Sequence, residues 1–189
     1  MRSLFVDTTY NNIHLILEED GKILNHRKIK NIIKMSDIFN EAIEQLVQDI
    51  KWTLPEIDNL YLTTGPGSFT GVRVGVTFAK TLMLLKPELN VYAISSLQFQ
   101  AGSGDAISYI DAKSGSVYFA VYQDGAAVIP DQILEQNIAV TIANEFEGFE
   151  SFYDMAEFNY EQNYLALKGS FKKINTTEEL EPTYIKKFM

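Results

Sequence analysis

The sequence predicts a mixed α/β fold, and three observations support this. Short β-rich runs near the N-terminus are joined by Asp20-Gly21, a dipeptide typical of a hairpin turn. Two longer segments, 36–50 and 70–85, carry apolar residues at helical spacing. A β-rich run precedes the second of these segments and another follows it. The order of hairpin strands, helix, strand, helix and strand indicates a mixed sheet flanked by helices.

The first half of the chain divides into clear elements. Ser36-Asp37 is expected to cap the first helix, and Pro87 is expected to end the second. The strands of this half are predicted at 3–6, 13–17, 23–29, 60–63 and 91–94.

The second half is less regular. A short helix and loop are expected over 95–104, and Asp124-Gly125 marks a second hairpin turn. From Pro130 onward the sequence is acidic and weakly periodic, with a small strand and turn expected at 165–167 and Phe171. The other strands of this half are predicted at 106–110, 116–123 and 126–129. We therefore expect an N-terminal lobe over 1–100 and a smaller, acidic C-terminal lobe over 101–189.

The composition excludes several kinds of site. The 189 residues include no cysteine, so disulfides, thiol nucleophiles and zinc–thiolate sites are excluded. The two histidines, His14 and His26, are too few for a histidine-based metal site or triad. No run of eighteen apolar residues is present and the N-terminus lacks a signal-peptide pattern. A cytoplasmic protein without a membrane segment is expected.

The net charge of −9 is concentrated in the second half of the chain. Between Ser114 and Leu167 there are nine acidic residues and no lysine or arginine. Such a surface repels nucleic acid phosphates, so the chain alone is a poor nucleic acid binder. It is either a solvated, solubilising face or a patch for a basic protein partner.

The densest glycine cluster lies at 65–75, between a predicted strand and a predicted helix. It lacks the lysine of a Walker loop, the glycine spacing of a dinucleotide fingerprint and the flanking glycines of a nucleophile elbow around Ser68. Two interpretations remain open. The cluster is a structural joint capped by Ser68 or Thr70, or its backbone N–H groups bind an anion.

The helix at 70–85 is apolar around most of its circumference, with a narrow polar strip at Arg73, Thr77 and Lys80. A helix on one side of a sheet needs only about a third of its surface to be apolar. The second apolar contact is either the helix at 36–50 or a partner protein.

Five sequence blocks, in order, resemble those of the TsaB (YeaZ) family. The glycine block Gly65-Pro66-Gly67-Ser68-Phe69-Thr70-Gly71-Val72-Arg73-Val74-Gly75 resembles the family signature. The others are Phe5-Val6-Asp7-Thr8-Thr9, Ala93-Ile94-Ser95-Ser96-Leu97, Tyr109-Ile110-Asp111-Ala112-Lys113-Ser114-Gly115-Ser116-Val117-Tyr118 and Pro182-Thr183-Tyr184-Ile185.

This resemblance implies an actin-like ATPase fold with a ribonuclease-H-like core and two lobes. It also implies a non-catalytic subunit that binds and activates a TsaD-like paralogue, with a TsaE-like ATPase, to form threonylcarbamoyladenosine in tRNA. Pairing would use the two N-lobe helices, alone as a homodimer or with the paralogue, and tRNA would be reached only through the complex. The implied interface residues are Phe39, Ile43, Leu46, Val72, Val76, Ala79 and Met83, beside a glycine loop with Gly65, Gly67, Ser68, Thr70, Gly71 and Arg73.

The chain departs from the family pattern in three respects. Met35-Ser36 stands where the family often has His-Ser, and the second lobe is short. His14 and His26 are too far apart for a TsaD-type metal site. The Asp7-Thr8-Thr9 turn lacks the glycine usual in the phosphate loops of active actin-like ATPases.

An enzyme of the same fold is the alternative. In a nucleotide-dependent ATPase or phosphotransferase, Asp7 and Asp111, with Thr8, would form the nucleotide site and hold Mg²⁺. In the non-catalytic interpretation, Asp7 and Asp111 simply cap turns at strand ends. The sequence favours no catalytic residue, no metal and no cofactor, and leaves weak nucleotide binding open. A peptidase ranks lowest because no nucleophile–base pair is present.

Overall fold

A computed structural model describes residues 1–185, which form two sheets and five α-helices within that range. The first half contains β1 (Arg2–Asp7), β2 (Ile13–Glu19), β3 (Lys22–Ile29), α1 (Met35–Asp49), β4 (Asn59–Thr63), α2 (Phe69–Leu85), β5 (Asn90–Ile94) and α3 (Ser96–Ala101). The second half contains β6 (Ala106–Asp111), β7 (Ser116–Gln123), β8 (Ala126–Glu135), α4 (Gln136–Ala143), β9 (Glu150–Tyr153), α5 (Tyr160–Leu167) and β10 (Lys172–Ile174). The mixed α/β class is confirmed.

The first sheet has the order β10-β5-β4-β1-β2-β3. The β1–β2–β3 meander is antiparallel, whereas β1, β4 and β5 run parallel to one another. All five residues of β4 are buried, as expected for a central strand covered on both faces. Strand β3 alternates between exposed and half-buried residues because it lies at the edge.

The second sheet has the order β8-β7-β6-β9, with β9 parallel to β6 and the other pairs antiparallel. After α5 the chain returns to the first sheet, where β10 pairs with β5. The strands before residue 100 all lie in the first sheet, and β10 joins them from the second half of the chain. The lobe boundary near residue 100 stays a prediction.

The core has one cluster on each side of the first sheet. Helices α1 and α2 cover one face, with Phe39, Leu46 and Val76 packed on β1 and β4. The opposite face meets α3, α5 and the second sheet through a cluster that includes Phe5 and Phe99. A third, smaller cluster packs α4 against the far face of the second sheet.

Two local expectations are wrong. Helix α1 begins at Met35, and Ser36 is its second residue rather than its cap, because the chain enters at Lys34 without a side-chain cap. The segment 165–167 is the end of helix α5 and not a strand. Helix α4 and strands β9 and β10 were not expected from the sequence. Among residues 1–185, no helix has the length and apolar character needed to cross a membrane.

Candidate functional site

The glycine loop between β4 and α2 packs directly on the turn that follows β1. A Cβ added at Gly67 would lie 2.0 Å from the Thr9 carbonyl oxygen, and one at Gly71 would lie 2.0 Å from that of Thr8. No side chain fits at either position. The glycines at 67 and 71 are therefore required by this close approach of two backbones.

Hydrogen bonds hold the two segments together. The Ser68 N–H donates to the Thr9 carbonyl oxygen at 2.6 Å, and the Thr8 hydroxyl donates to the Gly71 carbonyl oxygen at 2.8 Å. The Ser68 hydroxyl caps α2 by accepting from the Gly71 N–H at 3.4 Å, whereas Thr70 is exposed. Because the N–H groups of Ser68 and Gly71 already have acceptors, this geometry favours the structural joint over anion binding.

Asp7, at the end of β1, is enclosed. It is 1% exposed, and its carboxylate accepts hydrogen bonds from the hydroxyls of Thr9 and Thr63, both at 2.6 Å. The Tyr160 hydroxyl donates a further bond at 3.2 Å, and its ring stacks on His14 with centroids 3.4 Å apart. Burial raises the pKa of Asp7, which these hydrogen bonds partly oppose. The Tyr160 side chain thus covers the carboxylate.

Asp111 lies at the end of β6 on the second sheet, where its side chain is 39% exposed. Its carboxylate accepts from the Lys113 ammonium at 2.6 Å and from the Lys113 N–H at 2.8 Å, which together lower its pKa. Asp7 and Thr8 are buried in the first sheet, whereas Asp111 is partly exposed at the end of a strand of the second. A nucleotide site formed by the three residues stays a prediction. Within residues 1–185, no group of three acidic or histidine side chains is placed to hold a metal ion.

A groove of about 560 Å³ runs between α1 and α2. The rings of Phe39 and Phe78 meet edge to face at its base, 5.2 Å apart. The Arg73 guanidinium lies 3.7 Å from the Phe69 ring centroid and donates to the Tyr184 hydroxyl at 2.9 Å. The groove therefore combines an aromatic floor with one positive charge.

The implied interface residues do not face this groove as a set. Six of them are buried in this chain's own core: Phe39, Ile43, Leu46, Val72, Val76 and Ala79. Of these six, Phe39 also lines the groove. Their assignment to a partner interface stays a prediction. Met83 is half-buried. The sequence prediction relied on the most apolar positions, and these are the positions at which a helix packs against its own sheet. The outward positions of α2, Phe69, Val74, Thr77 and Phe78, line the groove together with Phe39.

The C-terminal Pro182-Thr183-Tyr184-Ile185 block lies beside the glycine loop. The Thr183 N–H donates to the Thr64 carbonyl oxygen at 2.7 Å, and the two threonine hydroxyls are 3.1 Å apart. The Tyr184 ring approaches Phe69 with centroids 5.8 Å apart. Two distant sequence blocks thus shape one surface, which nothing in their spacing along the chain indicated.

The fold and this site define a two-lobed α/β protein with an actin-like fold, in which the Asp7 carboxylate is covered and the α1–α2 groove is open. A family model described as tRNA N6-adenosine threonylcarbamoyltransferase, TsaD, matches residues 32–177. A solved structure of YeaZ from Pseudomonas aeruginosa superposes with a TM-score of 0.76 at 18% identity, covering 97% of this chain and 99% of that one. The fold prediction is confirmed.

Curated relatives agree with the family model. The chain is 26% identical to the uncharacterized protein MG208 homolog of Mycoplasma pneumoniae, over 97% of this chain and 94% of that protein. It is 34% identical to Escherichia coli TsaB, over 65% of this chain and 55% of the relative. It is 35% identical to Bacillus subtilis TsaB, over 51% of this chain and 44% of that relative. Within the group that the TsaD model describes, the chain belongs to the TsaB (YeaZ) family.

Proposed function

We propose that this chain is a non-catalytic subunit that binds and activates a TsaD-like threonylcarbamoyl transferase during formation of threonylcarbamoyladenosine in tRNA. Relatives named for tRNA threonylcarbamoyladenosine biosynthesis support the process. The α1–α2 groove is the observation that carries the partner role.

The groove has the composition of a protein interface. Phe69 is 58% exposed, and Val74 and Phe78 are half-buried along the same side of α2. Polar residues, among them Arg73, Thr77 and Thr81, surround these apolar side chains. An apolar centre with a polar rim and an arginine is typical of a surface that binds another protein. We propose the same surface for self-association when the chain is alone.

The acidic second lobe supports an indirect contact with tRNA. Exposed acids such as Glu145, Glu147 and Glu150 would repel the phosphates, so the basic parts of the complex would hold the tRNA. A TsaE-like ATPase completes the proposed assembly and supplies its nucleotide chemistry.

Mixing this chain with the TsaD-like protein of the same organism tests the partner role. Size-exclusion chromatography with light scattering should show a one-to-one complex. Val74→Arg places a charge in the proposed contact, so we expect at least about tenfold weaker association with an unchanged melting temperature of the free chain. Val128→Arg is the matched control, because Val128 is 48% exposed on β8, and should leave association unchanged. No complex for the unmodified chain would overturn the proposal.

Asp7→Asn separates this proposal from an ATPase of the same fold. Because Tyr160 covers the Asp7 carboxylate, we expect the substitution to leave tRNA modification within about threefold of the unmodified chain. Mass spectrometry of tRNA nucleosides after reconstitution measures this, with Asp124→Asn as a surface control. A loss as complete as omitting the chain, in a variant that melts normally, would favour the enzyme.

A further inference from the structure

Among residues 1–185, Arg73 is the one charged residue that lines the α1–α2 groove. The other basic residue of α2, Lys80, forms an ion pair with Glu181 of this chain at 2.5 Å. Arg73 has no carboxylate partner in the part of the chain that the structure describes. Its positive charge is therefore available to a partner molecule.

The Arg73 guanidinium is held in place by two aromatic side chains. Its Cζ atom lies 3.7 Å from the Phe69 ring centroid, and its Nε–H donates to the Tyr184 hydroxyl. Its two terminal amino groups have no hydrogen-bond acceptor within residues 1–185. A guanidinium that is already held loses less freedom on binding, and its amino groups match the two oxygens of a carboxylate. Arg73 is thus oriented for a bidentate contact before a partner arrives.

The side chains around Arg73 determine what the partner must supply. Val74 and Phe78 line the same groove, so a partner that covers them also removes Arg73 from water. A buried charge without a counter-charge is costly. From these features, the geometry points to one occupant: a partner helix whose apolar stripe is interrupted by an aspartate or glutamate, which accepts both amino groups of Arg73. This inference rests on the partner role proposed above and names the chemistry of that contact.

The same charge acts against self-association. In a two-fold dimer both copies would use the same groove. The acidic residues on the first turns of α1, Asp37 and Glu41, do not line this groove. Two copies would therefore cover two guanidinium groups and supply a groove carboxylate to neither. Arg73 thus selects a partner that carries an acid over a second copy of this chain.

Arg73→Gln, at an exposed position, should change the two kinds of association in opposite directions. Binding to the TsaD-like protein, measured by calorimetry, should weaken at least about thirtyfold, because the partner's carboxylate is then buried without its counter-charge. Self-association, measured by sedimentation equilibrium, should strengthen at least about threefold, because no unpaired charge is then buried. Arg73→Lys retains the charge without the bidentate geometry, so it should weaken partner binding about tenfold and leave self-association unchanged. Lys173→Gln, at an exposed position of β10, is the matched charge control and should change neither.

A charge swap identifies the residue that the partner supplies. Arg73→Glu should prevent binding, and changing the exposed helix acids of the TsaD-like protein to arginine one at a time should find one that restores it. The carboxylate contact is overturned if none restores binding, if Arg73→Gln binds the partner within about threefold of the unmodified chain, or if it weakens both kinds of association. A failure of the unmodified chain to form any complex would instead overturn the proposed partner role. In that case the effect of Arg73→Gln on self-association alone decides whether Arg73 opposes pairing of two copies.

Discussion

At the scale of single residues, the Asp7 carboxylate is covered by a stack of rings that joins distant parts of the chain. The Tyr160 ring contacts both His14 and Phe158, with centroids 3.4 and 4.2 Å apart, while its hydroxyl reaches Asp7. His14 is 3% exposed, and its Nε2 has no hydrogen-bond partner among the described residues. The His14 imidazole is therefore neutral in the folded chain.

The burial of Asp7 beneath Tyr160 was not predictable from the sequence. Asp7 and Tyr160 are 153 positions apart, and the block around Asp7 matches a nucleotide-binding pattern as well as a structural one. Which of the two applies depends on what covers the carboxylate. The tertiary packing decides what covers it, and the spacing of residues along the chain does not reveal this packing.

Protonation of His14 should destabilise the fold. Burial, followed by the charges of Lys28 and Lys30, lowers the pKa of His14 from 6.5 to about 2. Below about pH 6.5 the unfolded chain binds a proton that the folded chain cannot, so stability falls as the pH decreases. We expect a loss of about 2 kcal/mol between pH 7 and pH 5 from this residue alone.

Urea unfolding of the unmodified chain and of His14→Phe at both pH values measures this loss, because phenylalanine retains the stack and cannot titrate. His26→Gln, at an exposed position, is the control and should retain the full pH dependence. An equal loss in His14→Phe would assign the effect to other groups.

At the scale of elements, strong periodicity was predictive and weak periodicity was not. Helices α1 and α2 and strands β1 to β5 were anticipated because their apolar patterns are regular and their turns have clear signals. Helix α5 was missed although Tyr160, Tyr164 and Leu167 form a buried stripe at helical spacing and Asn159 caps it. The helix has only eight residues, and its stripe consists mainly of tyrosines, which are also typical of strands.

On α2, apolar character alone does not distinguish a core contact from a partner contact. Positions 72, 76 and 79 point into the first sheet, while 73, 74 and 77 line the groove. Burial in the folded chain was needed to separate them.

Helix α2 depends on glycine for its position rather than for its conformation. In an isolated helix, Gly71→Ala would be stabilising by about 1 kcal/mol. Here we expect a loss of several kcal/mol, since the new Cβ would lie 2.0 Å from the Thr8 carbonyl oxygen and the helix would have to move. Thermal melting measures the effect. Gly104→Ala, where nothing lies within 4 Å of the added Cβ, should melt within a few degrees of the unmodified chain.

At the scale of the whole molecule, the two lobes share one core. Phe5 and Tyr61 of the first sheet and Ile110 and Tyr122 of the second belong to the same buried cluster, in which Phe99 of α3 is central. The Phe99 ring stacks on Phe5 at 4.7 Å and approaches Tyr160 of α5 at 5.5 Å. Together with the return of β10 to the first sheet, this makes independent folding of either lobe unfavourable.

We therefore expect the chain to unfold in one transition. Trp52, the single tryptophan, is 8% exposed and packs in the core of the first sheet, so its fluorescence reports that lobe. Hydrogen exchange of the 116–123 peptide reports the second lobe. Both probes should give the same urea midpoint. Phe99→Ala should lower the free energy of unfolding by about 3–5 kcal/mol, and both probes should report the same loss. Phe69→Ala, at an exposed phenylalanine, should change the free energy of unfolding by no more than about 1 kcal/mol with either probe. Separate midpoints, or a Phe99→Ala effect confined to one probe, would show that the lobes are independent and that the buried cluster between them contributes little.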